Sequence, residues 1–254
     1  MMNNFHIIIP ARLESTRLKN KVLLEINGKS IVQLVYEKAQ SINPLSVTVA
    51  TNHKDIFDHI KSLGGEVLMT SSDHQSGMDR VNEAASLLQI SDDETILNLQ
   101  GDEPLMPENI IIETGNSIQS NISIATAACV LSDKNEITDP NNVKVVTTNN
   151  NYAHYFSRSL IPHSNEVSDI TYYQHLGIYS YNRGILQELA NLDVTYLENT
   201  ERLEQLRFLD HGYKIYVNKY DQPAPIGIDT EKDYKKTLSI LSKNDFKIII
   251  WDKL

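Results

Sequence analysis

Two short clusters in this sequence carry more chemistry than their surroundings. The first is Asn98-Leu99-Gln100-Gly101-Asp102-Glu103-Pro104, set directly after the apolar run Thr95-Ile96-Leu97. That run reads as a strand buried on both faces, which Gly101 and Pro104 end abruptly. Gln100, Asp102 and Glu103 are thereby left at the strand's carboxyl edge, where open α/β sheets bind their ligands. Two readings stand for these acids: rigidly aimed ligands for a hard cation such as Mg²⁺, or a solvated turn. The second cluster leaves an apolar run at 5–9 and holds Arg12, Ser15, Thr16, Arg17, Lys19 and Lys21. Cations, hydroxyls and backbone N–H groups at a strand end suit a triphosphate; a solvated basic loop is the alternative. A third polar stretch, residues 70–80, includes Asp73, His74, Ser76, Gly77 and Arg80. Its hydroxyls suit a helix cap, and His74 alone would be a surface histidine.

Positioning these clusters requires alternating strands and helices. Residues 5–9 form a first strand stopped by Pro10, and Asn27-Gly28 is a turn. Ser30 caps a helix with Ile31, Leu34, Val35 and Lys38 or Ala39 inward. Strands at 47–50 and 66–69 flank a helix at 55–63 that Gly64-Gly65 ends. The polar stretch 70–80 runs into another helix, with Val81, Ala84, Ala85 and Leu88 inward. Such spacing implies a parallel, doubly wound sheet. The second half departs from it, with strands expected at 122–131, 143–147, 176–181 and 214–217 and an aromatic-rich run at 152–156. A helix runs from about Asn199 to near Gly212, and a last one spans 231–241. The tail at 243–254, with Phe246 and Ile248-Ile249-Ile250-Trp251, is too apolar to be left in water and packs on the body or at a subunit contact.

The balance of 23 basic against 33 acidic residues, net −10, argues against a nucleic-acid binder. Any anion site must therefore be a local cluster. The single cysteine, Cys129, sits in an apolar run and reads as a buried hydrophobe. Neither a signal-peptide pattern nor a membrane-length apolar run occurs, so a soluble cytoplasmic protein is expected.

Taken together, the segments resemble the cytidylyltransferases that activate 3-deoxy-manno-octulosonate (Kdo) with CTP. The resemblance is carried by Ile9-Pro10-Ala11-Arg12, Ser15-Thr16-Arg17-Leu18 with Lys21, Asp73-His74-Gln75-Ser76-Gly77 and the Asn98–Pro104 heptapeptide. It continues through Asn142-Val143-Lys144-Val145-Val146, Tyr155-Phe156-Ser157-Arg158, His175-Leu176-Gly177-Ile178-Tyr179, Leu203-Glu204-Gln205-Leu206-Arg207 and Gly227-Ile228-Asp229-Thr230. It covers nearly the whole chain. It implies an α/β, Rossmann-like fold of the nucleotide-diphospho-sugar transferase type, with a mostly parallel sheet and a smaller mixed second-half region. One domain over 1–254 is implied, its nucleotide half at about 1–130, its sugar-acid and dimer-contact half at about 131–241. By the same resemblance Arg12, Lys21, Asp102 and Asp229 are catalytic, and Asp102 with Asp229 holds Mg²⁺. CTP falls to Pro10, Ala11, Arg12, Ser15, Arg17, Lys21, Asp73, Ser76, Gly77 and Asp102. The sugar acid falls to Arg80, Gln100, Arg158, His175, Tyr179, Glu204 and Gln205. A homodimer working in lipopolysaccharide biosynthesis is implied, with no nucleic-acid or membrane partner.

The sequence departs from that pattern at Lys19-Asn20, where the family usually has Pro-Gly, at Met78 for threonine and at Gln174 for arginine. Losing the Pro-Gly turn puts the placement of Lys21 in question. The other two changes raise an alternative substrate, 8-amino-3,8-dideoxy-manno-octulosonate or another nonulosonate-like acid. A glycosyltransferase and a nucleotide-sensing module are the more distant rivals.

Overall fold

The expected alternation is what the chain forms, in a computed structural model that describes residues 3–13, 17–74, 76–165 and 170–242. The elements in order are β1 His6–Ala11, β2 Glu25–Ile26, β3 Lys29–Ser30, α1 Ile31–Ser41, β4 Ser46–Thr51, α2 Lys54–Ser62, β5 Val67–Met69 and α3 Gly77–Leu87. Then come β6 Thr95–Asn98, α4 Glu108–Gly115, β7 Ile124–Leu131, α5 Lys134–Thr138, β8 Lys144–Thr147, β9 Ala153–Ser157 and β10 Tyr172–Asn182. The last are α6 Arg183–Leu189, α7 Tyr196–Glu201, α8 Gln205–Asp210, β11 Tyr216–Pro223 and α9 Glu231–Ser242. The chain divides into two compact units. Among the described residues, one holds those up to 89, 98–112 and those from 225 on; the other holds 90–97 and 113–224.

In the first unit β1 pairs parallel with β4, and β4 parallel with β5. Ile7, Ile8, Ile9 and Val49 are wholly buried, as β-branched runs covered on both faces should be. The first strand does not stop at Pro10. Pro10 and Ala11 pair with Ala50 and Thr51, and the carbonyl of Pro10 accepts from Gly101 N–H at 3.4 Å. A proline removes a donor and keeps its acceptor, so the strand can run on through it where only the carbonyl is needed for pairing. Asn27 and Gly28, both at positive φ, close the β2–β3 hairpin. Ser30 caps α1 by accepting from Gln33 N–H, and Ile31, Val35 and Ala39 face the core. Ser76 and Asp79 close a reciprocal capping box on α3, which buries Met78, Val81, Ala84 and Ala85. Leu88, expected inward, lies past the end of α3 and is exposed.

The second unit carries a mixed sheet. β11 runs parallel to β7, β10 antiparallel to β7, and β8 antiparallel to both β9 and β10. The register between β10 and β7 shifts between Leu176 and Tyr179. Cys129 is fully buried in β7, and burial pushes its thiol up to about 12, which fits a packing role. The helix expected from about Asn199 to Gly212 is two helices, α7 and α8. Arg202 takes a left-handed conformation at φ 54° between them, breaking the helical run. The architecture is α/β, wholly parallel across β1, β4 and β5 in the first unit and mixed in the second. The tail at 243–254 lies outside the described residues.

Candidate active site

Loops that follow β1, β4, β5 and β6 line one cavity of about 920 Å³. From the end of β1 come Pro10, Ala11, Arg12, Leu13, Arg17, Lys19, Asn20 and Lys21. His53 follows β4, His74, Ser76, Gly77 and Arg80 follow β5, and Gln100, Gly101 and Asp102 follow β6. Asp229 enters from just before α9. Gly101 packs closely here. A Cβ on it would stand 3.1 Å from the Pro10 carbonyl oxygen and 3.3 Å from the Ala11 Cβ, so a side chain would need these neighbours to give by a few tenths of an ångström.

Asp102 and Asp229 come from distant parts of the sequence and meet through one ammonium. Lys21 Nζ lies 2.5 Å from Asp102 Oδ2 and 2.9 Å from Asp229 Oδ1, while Arg17 Nη2 lies 3.0 Å from Asp229 Oδ2. Their backbones are joined as well, Ile228 N–H donating to the Asp102 carbonyl at 3.2 Å. Burial alone would lower the pKa of Lys21, but the two carboxylates outweigh it and hold the ammonium above its ordinary value. For Asp229, burial raises the pKa, and Lys21 and Arg17 outweigh it to leave a net depression. Glu103 is pushed up to about 8, first by burial and then by its neighbours Asp102 and Asp229, with Lys21 opposing. Two carboxylate oxygens within bonding reach of one shared cation position are the donor set a divalent metal asks for. No group of three or more such ligands occurs among the described residues.

Lys21 reaches this position because the Lys19-Asn20 substitution does not lose the turn. Asn20 takes φ 53°, and its carbonyl accepts from Leu23 N–H at 2.9 Å, starting the short helical turn Lys21–Leu23. Asparagine is among the few residues besides glycine that visit the left-handed region routinely. Lys19 meanwhile adds a cation to the cavity wall.

The loop after β5 is braced from α3. Glu83 accepts from Ser71 N–H at 2.8 Å and pairs with the His74 imidazole, and Arg80 donates to Thr70 Oγ1 and to the Ser71 carbonyl. Asp73 is exposed and does not line the cavity. Ser15 lies outside the described residues, as do Thr16 and Gln75 of the quoted motifs. Met78 is buried in α3 and contributes nothing to the cavity wall.

Arg158, His175, Tyr179, Glu204 and Gln205 all lie in the second unit. The His175 ring packs edge-on to Phe156 and tilted to Tyr179, which stacks on Tyr181. Burial lowers the imidazole to about 3, so it is neutral. Thr126 Oγ1 lies 2.7 Å from the Ile178 carbonyl and 3.1 Å from His175 Nε2. A hydroxyl has one proton; given to Ile178, it leaves Thr126 to accept from Nε2–H and fixes Nδ1 as an acceptor. Burial, then the charge of Glu204, raises the Tyr179 phenol, which stays protonated. The Gln205 amide nitrogen is buried with no hydrogen-bond partner among the described residues. Arg158 is held by backbone: Nε donates to the Glu201 carbonyl at 2.9 Å and Nη1 to that of Pro140 at 3.2 Å, while Lys144 donates to the Arg158 carbonyl at 2.7 Å.

Sequence reasoning missed His53 as a cavity residue, whereas Lys19 and His74 lie in stretches it had singled out. His53 follows the carboxyl end of β4, so the strand-edge rule applied to every strand would have found it.

The sequence profile of a family described as Cytidylyltransferase matches residues 6–215. The 3-deoxy-manno-octulosonate cytidylyltransferase of Francisella philomiragia is 41% identical over 243 residues, 92% of this chain and 97% of that protein. The enzyme of the same name from Histophilus somni is 41% identical over 253 residues, 94% of this chain and 99% of that one. Among solved structures, a CMP:2-keto-3-deoxy-manno-octonic acid synthetase complexed with CTP superposes with a TM-score of 0.87 at 34% identity. It covers 94% of this chain and 99% of that one.

Proposed function

Because this chain belongs to the cytidylyltransferase family, and within it to the CMP-Kdo synthetases, we propose that it transfers CMP from CTP to Kdo, for lipopolysaccharide biosynthesis. That it is a nucleotidyltransferase follows from the family. The observation that carries the rest is a basic cavity at a sheet's carboxyl edge with two remote aspartates converging on one cation position inside it.

In this reading Arg12, Arg17 and Lys21, with Lys19 beside them, neutralise the triphosphate. The capped amino end of α3, with Ser76 and Gly77, offers backbone N–H groups to the nucleotide. Asp102 and Asp229 would hold Mg²⁺, whose chemistry when bound is to lower the pKa of the attacking hydroxyl and to offset phosphate charge. The anomeric hydroxyl oxygen of Kdo bonds to the α-phosphorus in line, the bond to the bridging oxygen of the β-phosphate breaks, and pyrophosphate leaves. The hydroxyl proton is released to solvent. Most of the rate enhancement is positioning and electrostatics supplied by the cations, as in other phosphoryl transfers. No covalent nucleophile is needed, in keeping with the inert, buried Cys129.

Kdo is an acid rich in hydroxyls. In the second unit the neutral His175, the protonated Tyr179 and the unpartnered Gln205 amide suit those hydroxyls, and Arg158 suits the carboxylate. Met78 is buried in α3 away from the cavity, and we take Kdo over the 8-amino acid as the substrate. We further assign the nucleotide to the first unit and the dimer contact to the second, and place the enzyme in the cytoplasm with CTP. No helix among the described residues is long and apolar enough to cross a membrane.

The test is pyrophosphate release from CTP and Mg²⁺ with Kdo, 8-amino-Kdo and a sialic acid supplied separately. Release at least as fast with Kdo as with the others is expected. Release with the amino acid alone would transfer the assignment to that substrate, and release with none would leave a nucleotide-binding module.

A further inference from the structure

Lys21 is committed to two kinds of anion. The metal reading above, on which this inference rests, gives the point between Asp102 and Asp229 to a divalent cation. The chain's own ammonium stands at that point. Lys21 Nζ reaches both carboxylates, at 2.5 and 2.9 Å, and its side chain is largely enclosed, with only 11% of its surface exposed. An ammonium lying between these two oxygens stands at the point that a cation held by both would take. The phosphates expected in the cavity are the other anion available to Lys21, and Arg12, Arg17 and Lys19 line the same wall.

We propose that Lys21 is the resident counter-ion of the Asp102–Asp229 pair and must exchange it for nucleotide phosphate before the pair accepts a metal ion. One side chain then serves the reaction in two successive positions. Before substrate arrives it holds together two carboxylates that would otherwise repel, keeping their spacing ready. Once the triphosphate is bound it withdraws to the phosphates and leaves the carboxylates to the metal. Metal and nucleotide are thereby coupled. A divalent ion alone meets a seat already neutralised, whereas CTP opens the seat by drawing the ammonium off. By linkage, metal on the carboxylates strengthens the hold on CTP by the same factor. Arg17 cannot substitute for Lys21 here, since of the two acids it pairs with Asp229 alone among the described residues and is more than half exposed.

The test reads metal binding directly, by electron paramagnetic resonance titration of Mn²⁺ without nucleotide. Lys21→Met keeps the stem and removes the charge; it should bind Mn²⁺ about tenfold more tightly than the unmodified protein, the scale of removing one unit charge at contact distance from a partly screened site. Lys21→Gln should move the same way and serves if the methionine variant does not fold. Arg17→Gln removes an equal charge from one carboxylate alone and should gain less than about threefold, as exposed pairs are weak. Equal gains in the Lys21 and Arg17 variants would overturn the exchange, because only charge count would then matter. Unchanged or weaker Mn²⁺ binding in both Lys21 variants would overturn it too. Asp102→Asn separates this failure from that of the underlying reading. Mn²⁺ binding lost in Asp102→Asn but not gained in Lys21→Met overturns the exchange alone. Mn²⁺ binding untouched by Asp102→Asn overturns the metal assignment, and the exchange with it.

Discussion

His175 lets the electrostatics of the second unit be tested quantitatively. Its imidazole is held at about 3 by burial among Phe156, Tyr179 and Thr126, against about 6.5 for a free histidine. A base whose folded pKa is depressed makes the unfolded chain the better proton binder. Its stabilising effect is present above pH 6.5 and is lost as pH falls from there toward about 3. At pH 5 the unfolded imidazole is almost wholly protonated and the folded one is not, which costs about 2 kcal/mol relative to pH 7. The perturbation is His175→Gln, which keeps a donor for Thr126 and removes the titration. Urea unfolding at pH 7 and pH 5 should show the unmodified protein losing about 2 kcal/mol more than the variant between the two. In parallel, the His175 ring protons should show no titration in NMR spectra recorded from pH 8 to 5. Equal losses in the two proteins, or a ring titrating near 6.5, would refute the account. The sugar-acid assignment would change with it, because a charged imidazole selects a carboxylate where a neutral one selects a hydroxyl.

The site supports three further predictions. Asp102→Asn should lower kcat by at least about a hundredfold while leaving the melting temperature near that of the unmodified protein, the usual scale for removing one preorganised charge; near-normal turnover in a pyrophosphate assay would remove Asp102 from the metal seat. Asn20→Ala should destabilise by about 1 kcal/mol and raise the KM for CTP by misplacing Lys21, whereas Asn20→Gly should retain both properties, since the strain belongs to the left-handed φ. Arg158→Ala should raise the KM for the sugar acid more than that for CTP in steady-state assays; the opposite pattern would place Arg158 with the nucleotide.

The strand ends were legible because their punctuation is local: apolar run, glycine, charge. Gly101 and Asp102 could be placed at the carboxyl edge from the heptapeptide alone, and Ser30 announced its helix by cap chemistry. Two kinds of feature were not legible. One was continuity through a residue whose rule has a loophole. Pro10 carries on in β1 because its carbonyl still pairs, and Asn20 keeps a turn ordinarily given to glycine. The other was anything dependent on partners distant in sequence. The bridging of Asp102 and Asp229 by Lys21, the break at Arg202 and the enclosure of His175 arise from packing between segments that no local pattern relates.

The first unit is assembled from three separate stretches, the last of which begins at residue 225. A chain emerging from the ribosome therefore exposes its basic loop and Asp102 long before it makes Asp229. During that interval Lys21 has one carboxylate within reach instead of two, and the whole of the second unit must be synthesised before the other appears. Bringing the ends of so long an insertion together is an entropic expense that grows only slowly with its length, so the late arrival of Asp229 delays completion more than it weakens the product. The carboxylate pair is thus a record of complete synthesis: a product truncated before residue 229 keeps the cations but lacks the second acid, and cannot build the paired seat.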